Sequence, residues 1–82
     1  MVMKSKPTAR RRLLFTGLFN FGREVEKLWA YAYSGRQAKI YMMRQIAKKH
    51  SVIYSAVANI FNGDKDNFDI SVDEKWKESH NV

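Results

Sequence analysis

The stretch Asn20-Phe21-Gly22-Arg23-Glu24-Val25-Glu26-Lys27-Leu28-Trp29-Ala30-Tyr31-Ala32-Tyr33-Ser34 decides the fold class. Phe21, Val25, Leu28, Trp29 and Ala32 recur at i, i+4, i+7, i+8 and i+11, one face of a 3.6-residue period. Asn20 suits an N-cap, and Glu24 and Glu26 complement the positive end of a helix dipole. Gly35 stands where a left-handed residue ends a helix, while Gly22 weakens the first turn. The spacing predicts a helix over 20–34 with Trp29 in the core.

Working outward, residues 36–50 read as a second helix. Ile40, Met43, Ala47 and His50 are spaced i, i+3, i+7 and i+10, and Ile46 widens the stripe. Arg44 and Lys48 are i, i+4 neighbours on another face, and Gln37, Ala38, Met42 and Arg44 favour helix. Residues 51–62 fit either a third short helix ended by Asn62-Gly63, or a strand supplied by Val52, Ile53, Tyr54 and Val57. Residues 62–67 are a turn in both cases. Phe68, Ile70 and Val72 then alternate with Asp69, Ser71 and Asp73, a short strand with one buried face. Residues 13–19 are apolar around Gly17 and fit a short strand or the first turn of a helix.

These elements define a globular domain over 13–73, preceded by a flexible basic arm (1–12) and followed by a polar tail (74–82) that holds Trp76. The expected fold is mainly α, a small helical domain with one short C-terminal strand. The alternative is α+β, two helices plus a β-hairpin in which 52–61 pairs with 68–72.

Charge is divided along the chain. Residues 1–49 hold twelve Lys and Arg against Glu24 and Glu26, whereas 50–82 hold three Lys against six acids; the whole carries +7. A cationic half attracts polyanions whatever their sequence. The 82 residues make one domain, and a chain this short buries a limited share of its surface, so a homodimer is expected. A hydrophobic fraction of 45% excludes a wholly disordered chain. The absence of cysteine excludes disulfides, thiolate nucleophiles and Cys-ligated zinc, and fits a reducing compartment. No apolar run reaches the roughly 20 residues of a membrane span. The apolar stretch 13–21 after the basic start is short, contains Asn20 and lacks a small-residue cleavage site, so it is not read as a signal peptide. The expected location is cytoplasmic, with no membrane partner.

Residues 46–63, Ile46-Ala47-Lys48-Lys49-His50-Ser51-Val52-Ile53-Tyr54-Ser55-Ala56-Val57-Ala58-Asn59-Ile60-Phe61-Asn62-Gly63, resemble the helix-turn-helix of phage Cro and repressor proteins and of the LacI group. Ala47 matches the small residue of the first helix, Ser51 and Val52 the turn residue and its aliphatic neighbour, and Val57 and Ile60 the aliphatics of the second helix. The resemblance implies positive φ at Ser51, a wedge filled by Val52, Val57 and Ile60, and base contacts from Ser55, Asn59 and Asn62 in a DNA-binding transcriptional regulator. In size, charge and composition the chain also resembles the small basic counter-defence proteins of T4-like phages, the TifA type of anti-toxin factor. That likeness implies an RNA-binding inhibitor of a host toxin ribonuclease, acting in the cytoplasm of the host cell.

The candidate nucleic-acid contacts follow. Arg10, Arg11 and Arg12 reach phosphates or a groove from the arm, and Arg36, Lys39, Arg44, Lys48 and Lys49 supply phosphate contacts along one helix. Tyr54, Ser55 and Asn59 would face bases. Tyr31, Tyr33, Tyr41 and Tyr54 interleave with the charge, either to stack on bases or as half-buried core and dimer contacts. Asp64, Asp66, Asp69, Asp73, Glu74 and Glu78 offer an acidic surface for a basic host protein, the reading of a protein–protein inhibitor. Enzymatic motifs are absent: there is no HExxH, P-loop, Ser/His/Asp set or metal-ligand spacing. His50 reads as a packed residue and His80 as part of the tail. No enzyme activity, cofactor or metal is expected.

Overall fold

Gly22 and Arg23 reverse the chain between two nine-residue strands, β1 (Leu13–Phe21) and β2 (Glu24–Ala32). Gly22 has φ +69° and Arg23 is not at positive φ, which fits a type II′ turn, whose twist matches that of paired antiparallel strands. The computed structural model, which describes residues 11–63 and 67–80, continues through α1 (Gly35–Lys49), α2 (Tyr54–Ile60), β3 (Phe68–Val72) and α3 (Glu74–His80). β3 pairs antiparallel with β1, Phe15 opposite Val72 and Phe19 opposite Phe68, so the sheet order is β2-β1-β3.

The fold is therefore α+β, which corrects the mainly α expectation. Residues 20–34 hold the hairpin turn and β2 rather than a helix. Glu26, Leu28, Ala30 and Ala32 turn toward α1, and Val25, Lys27, Trp29 and Tyr31 turn away. Because apolar residues occupy both sides of β2, the period-2 signal is blurred, and four of them, with Phe21 at the end of β1, happen to fit a helical spacing. Trp29 is accordingly 48% exposed and not core. The alternative is corrected too: the hairpin is β1–β2, residues 54–60 are helical, and β3 pairs with β1.

Gly35 opens α1 instead of ending a helix. The Gln37 N–H donates to Ser34 Oγ at 3.2 Å, and the Tyr33 N–H donates to Gln37 Oε1 at 2.8 Å, a close variant of the Ser-x-x-Gln capping box. At the other end, the Val52 N–H donates to Ala47 O and the Ser51 N–H to Lys48 O, the bond pair of a Schellman motif. That motif requires a left-handed residue, and Ser51 has φ 55°. Between α1 and α2 the space is filled by Val57 and Phe61, both fully buried; Val52 and Ile60 are 40% and 39% exposed, unlike the expected wedge.

Residues 74–80, expected as tail, form α3. The Trp76 N–H donates to Asp73 Oδ1 at 3.0 Å, a side-chain cap, and the Trp76 and His80 rings stack 4.0 Å apart. The expected arm up to Arg10 and the turn residues Asp64, Lys65 and Asp66 lie outside the described residues.

The core lies between α1, α2 and the inner face of the sheet. Phe19 meets Phe61 edge-to-face at 4.9 Å and Phe68 in a stack at 5.9 Å, while Ala38, Met42, Met43 and Ile46 of α1 cover them. Gly17 is what lets α1 settle, because a Cβ there would collide with Met42 Sδ and with the Phe19 ring. Gly17→Ala is expected to cost about 1–3 kcal/mol by overpacking, measured by urea unfolding; an unchanged midpoint would show that the helix is not seated on this residue.

Candidate nucleic-acid interface

Arg11 and Arg12 lead into β1, both exposed, and the Arg12 guanidinium lies 5.7 Å from the centre of the Tyr33 ring. Arg10 lies outside the described residues. The five cations expected to contact phosphates along one helix all lie on α1, but the fold gives them different surroundings. Lys39 is half-buried with its ammonium 3.9 Å over the Phe68 ring, and Lys49 turns to Glu26. Arg36, Arg44 and Lys48 are exposed. Arg36 and Lys39 meet at a groove of about 830 Å³ between α1, α2 and β3, floored by Met43, Phe61, Phe68 and Ile70. Arg44 meets Tyr54 of α2, guanidinium to ring centre 6.0 Å. Ser55 and Asn59 are exposed on the same seven-residue helix.

Glu26 is the acid that organises the end of α1. It is 7% exposed on the inner side of β2. The Lys49 ammonium donates to Oε1 at 2.9 Å and the His50 Nε2–H donates to Oε2; the His50 ring also lies against Phe21, 4.6 Å between centres. These hydrogen bonds, that of His50 first and that of Lys49 second, hold the Glu26 carboxyl below its ordinary range against the opposing effect of burial. Glu26 in turn raises the Lys49 ammonium above its usual value. His50 is thus a partner of a buried carboxylate rather than an inward core residue, and Lys49 is part of the fold's own electrostatics.

The outer side of the sheet holds residues that the sequence reading placed elsewhere. Lys27 lies 5.5 Å from the centre of the Trp29 ring, and Trp29 and Tyr31 are both about half exposed. The Trp29 carbonyl accepts a hydrogen bond from Gln45 Nε2 of α1 at 3.0 Å, which occupies an outward-facing group of an edge strand. Across the sheet, Asp73 Oδ2 accepts from the Thr16 hydroxyl at 2.7 Å. Its carboxyl is lowered by that bond first, then by the Trp76 N–H, and the Trp29 side chain contributes as well. The signal that could have found this surface is the odd-numbered series Val25, Lys27, Trp29, Tyr31 and Tyr33, which alternates with Glu26, Leu28, Ala30 and Ala32.

Charge is divided among the elements as it is along the chain. Most of the described cations belong to the segment from Arg11 to the end of α1, whereas Asp69, Asp73, Glu74 and Glu78 follow on β3 and α3. Among the described residues no group of three or more His, Asp or Glu is placed to hold a metal ion, and no helix is long and apolar enough to cross a membrane. No protein-family model, no curated protein and no solved structure matches the chain.

Glu26→Gln keeps the shape and removes the charge. The expected loss is about 1.5–3 kcal/mol of stability at pH 7 by urea titration. The Glu26 pKa is lowered by folding, so its contribution is complete above the ordinary value of 4.5 and vanishes as pH falls through the folded value. The difference between wild type and Glu26→Gln should therefore shrink on acidification; a constant difference would remove the carboxylate as its cause.

Proposed function

We propose that this chain is a small non-enzymatic protein that binds nucleic acid, RNA foremost, through phosphate contacts with little sequence preference. The observation that carries this reading is the surplus of exposed cations. Between described residues the Lys and Arg ion pair is that of Lys49 with Glu26, and Arg11, Arg12, Arg23, Lys27, Arg36, Arg44 and Lys48 are all exposed. Release of counterions from a polyanion rewards such an arrangement without any reading of bases.

A sequence-specific regulator of the Cro type is less well supported by the same geometry. α2 spans seven residues and exposes Tyr54, Ser55, Ala56, Asn59 and Ile60, with no Arg or Lys to engage guanine edges. Sequence-tolerant RNA capture suits the role of a counter-defence protein that withholds RNA from a host toxin ribonuclease, the role implied by the likeness in size and charge.

Replacing Arg11 and Arg12 together by Ala is expected to weaken binding to all nucleic acids alike. The slope of log affinity against log salt should flatten by about 0.7 for each single-strand phosphate that is no longer neutralised. A salt titration with labelled RNA and duplex DNA reads both effects. An unchanged slope would remove these arginines from the interface. Association with a protein partner that survives nuclease treatment, with no salt-sensitive binding to either nucleic acid, would replace the proposal by a protein–protein reading of the acidic residues.

A further inference from the structure

α1 covers one face of the three-stranded sheet, and the other face carries exposed aromatic and apolar side chains in a defined order. Val25 is 66% exposed, Trp29 48% and Tyr31 55%, and Leu18 of β1 is 40% exposed beside them. Trp29 and Tyr31 occupy alternate positions of β2, so their side chains rise on one side about 7 Å apart. Tyr33 follows just past the strand, under the Arg12 guanidinium, and Lys27 lies over the Trp29 ring. A row of three rings along one edge of the sheet therefore has a cation at each end.

We propose that this outer face is a stacking platform for the bases of an unpaired nucleic-acid strand, with Trp29 and Tyr31 as the stacking rings and Lys27 and Arg12 at the phosphates. The inference rests on the nucleic-acid reading and specifies its site and the class of strand. An exposed ring takes a base on its face where that base is not already paired and stacked within a duplex, so a row of such rings selects an unpaired strand.

Charge on this face is sorted by strand: the cations Lys27 and Arg12 stand along β2, whereas the outward acids Asp69 and Asp73 belong to the β3 side, beyond β1. The outward positions of β1 and β2 (Leu14, Thr16, Leu18, Asn20, Val25, Lys27, Trp29 and Tyr31) include a cation and no acid. Asp73, at the β3 side, is engaged by the Thr16 hydroxyl and the Trp76 N–H and faces the Trp29 side chain. Trp29 is thereby positioned before any ligand arrives, by Gln45 at its carbonyl and by Lys27 and Asp73 at its ring, which lowers the ordering cost of binding.

The test compares a labelled single-stranded RNA of about 10 nucleotides with the same sequence held in a duplex, against wild type, Trp29→Leu and Tyr31→Leu. Thermal unfolding shows whether each variant folds. The expected result is tighter binding of the single strand, with each substitution weakening it about tenfold and leaving duplex binding nearly unchanged. In a Trp76→Phe background, which leaves Trp29 as the sole indole, titration with the RNA should quench its fluorescence, a readout that needs no core-facing change. Salt-sensitive RNA binding with neither quenching nor weakening in the variants would overturn the platform and leave the nucleic-acid reading intact. No binding by wild type to either probe would overturn both. A dimer in sedimentation that Trp29→Leu dissolves and RNA does not displace would assign the face to a second copy instead.

Discussion

Met42 of α1 occupies the space above Gly17 that any side chain there would fill, and this contact sets how closely helix and sheet approach. At that distance Phe15 and Phe19 of β1 reach the helix, and Ala38, Met42, Met43 and Ile46 close over them. The same seat carries the C-terminal part of α1 across β2. Gln45 then meets the Trp29 carbonyl, and Lys49 and His50 meet Glu26. A single residue without a side chain thus links packing in the core to the placement of charge at the rim.

The Glu26 contacts divide the cations of α1 into two groups. Lys49 neutralises a buried carboxylate, and Lys39 lies over Phe68 at the groove. Arg36, Arg44 and Lys48 remain exposed. A helix rich in Lys and Arg therefore contributes less to an external field than its composition suggests. Part of the deficit is made up by β2 and its surroundings, where Lys27 and Arg12 accompany Trp29 and Tyr33. Binding that combines such cations with exposed rings draws on counterion release and on stacking, neither of which depends on base identity.

α1 and β3 were legible in the sequence because each has one clean apolar face: Ile46 and Ala47 on the helix, Phe68, Ile70 and Val72 on the strand. The φ of 55° at Ser51 was not legible from the residue type, since serine has no preference for the left-handed region, and only the helix-turn-helix resemblance implied it. β2 was not legible, since its inner face mixes Glu26 with Leu28 and its outer face carries Val25, Trp29 and Tyr31. A strand apolar on both sides imitates a helix whenever the spacing happens to fit, and here it concealed both the hairpin and the exposure of Trp29. Glu26 read as a helix-dipole residue because its partners are 23 and 24 positions away and meet it only through tertiary packing. The surface cations were legible as a class, but which of them serve the fold and which face outward depends on that packing.

The most direct test is an NMR titration of the labelled protein with a short single-stranded RNA. The amide and side-chain signals expected to move most belong to Lys27, Trp29, Tyr31 and Arg12, with the inner-face core unmoved. Shifts confined to α1 and α2, centred on Arg44, Tyr54 and Ser55, would contradict the platform and place the nucleic acid on the helical side of the molecule.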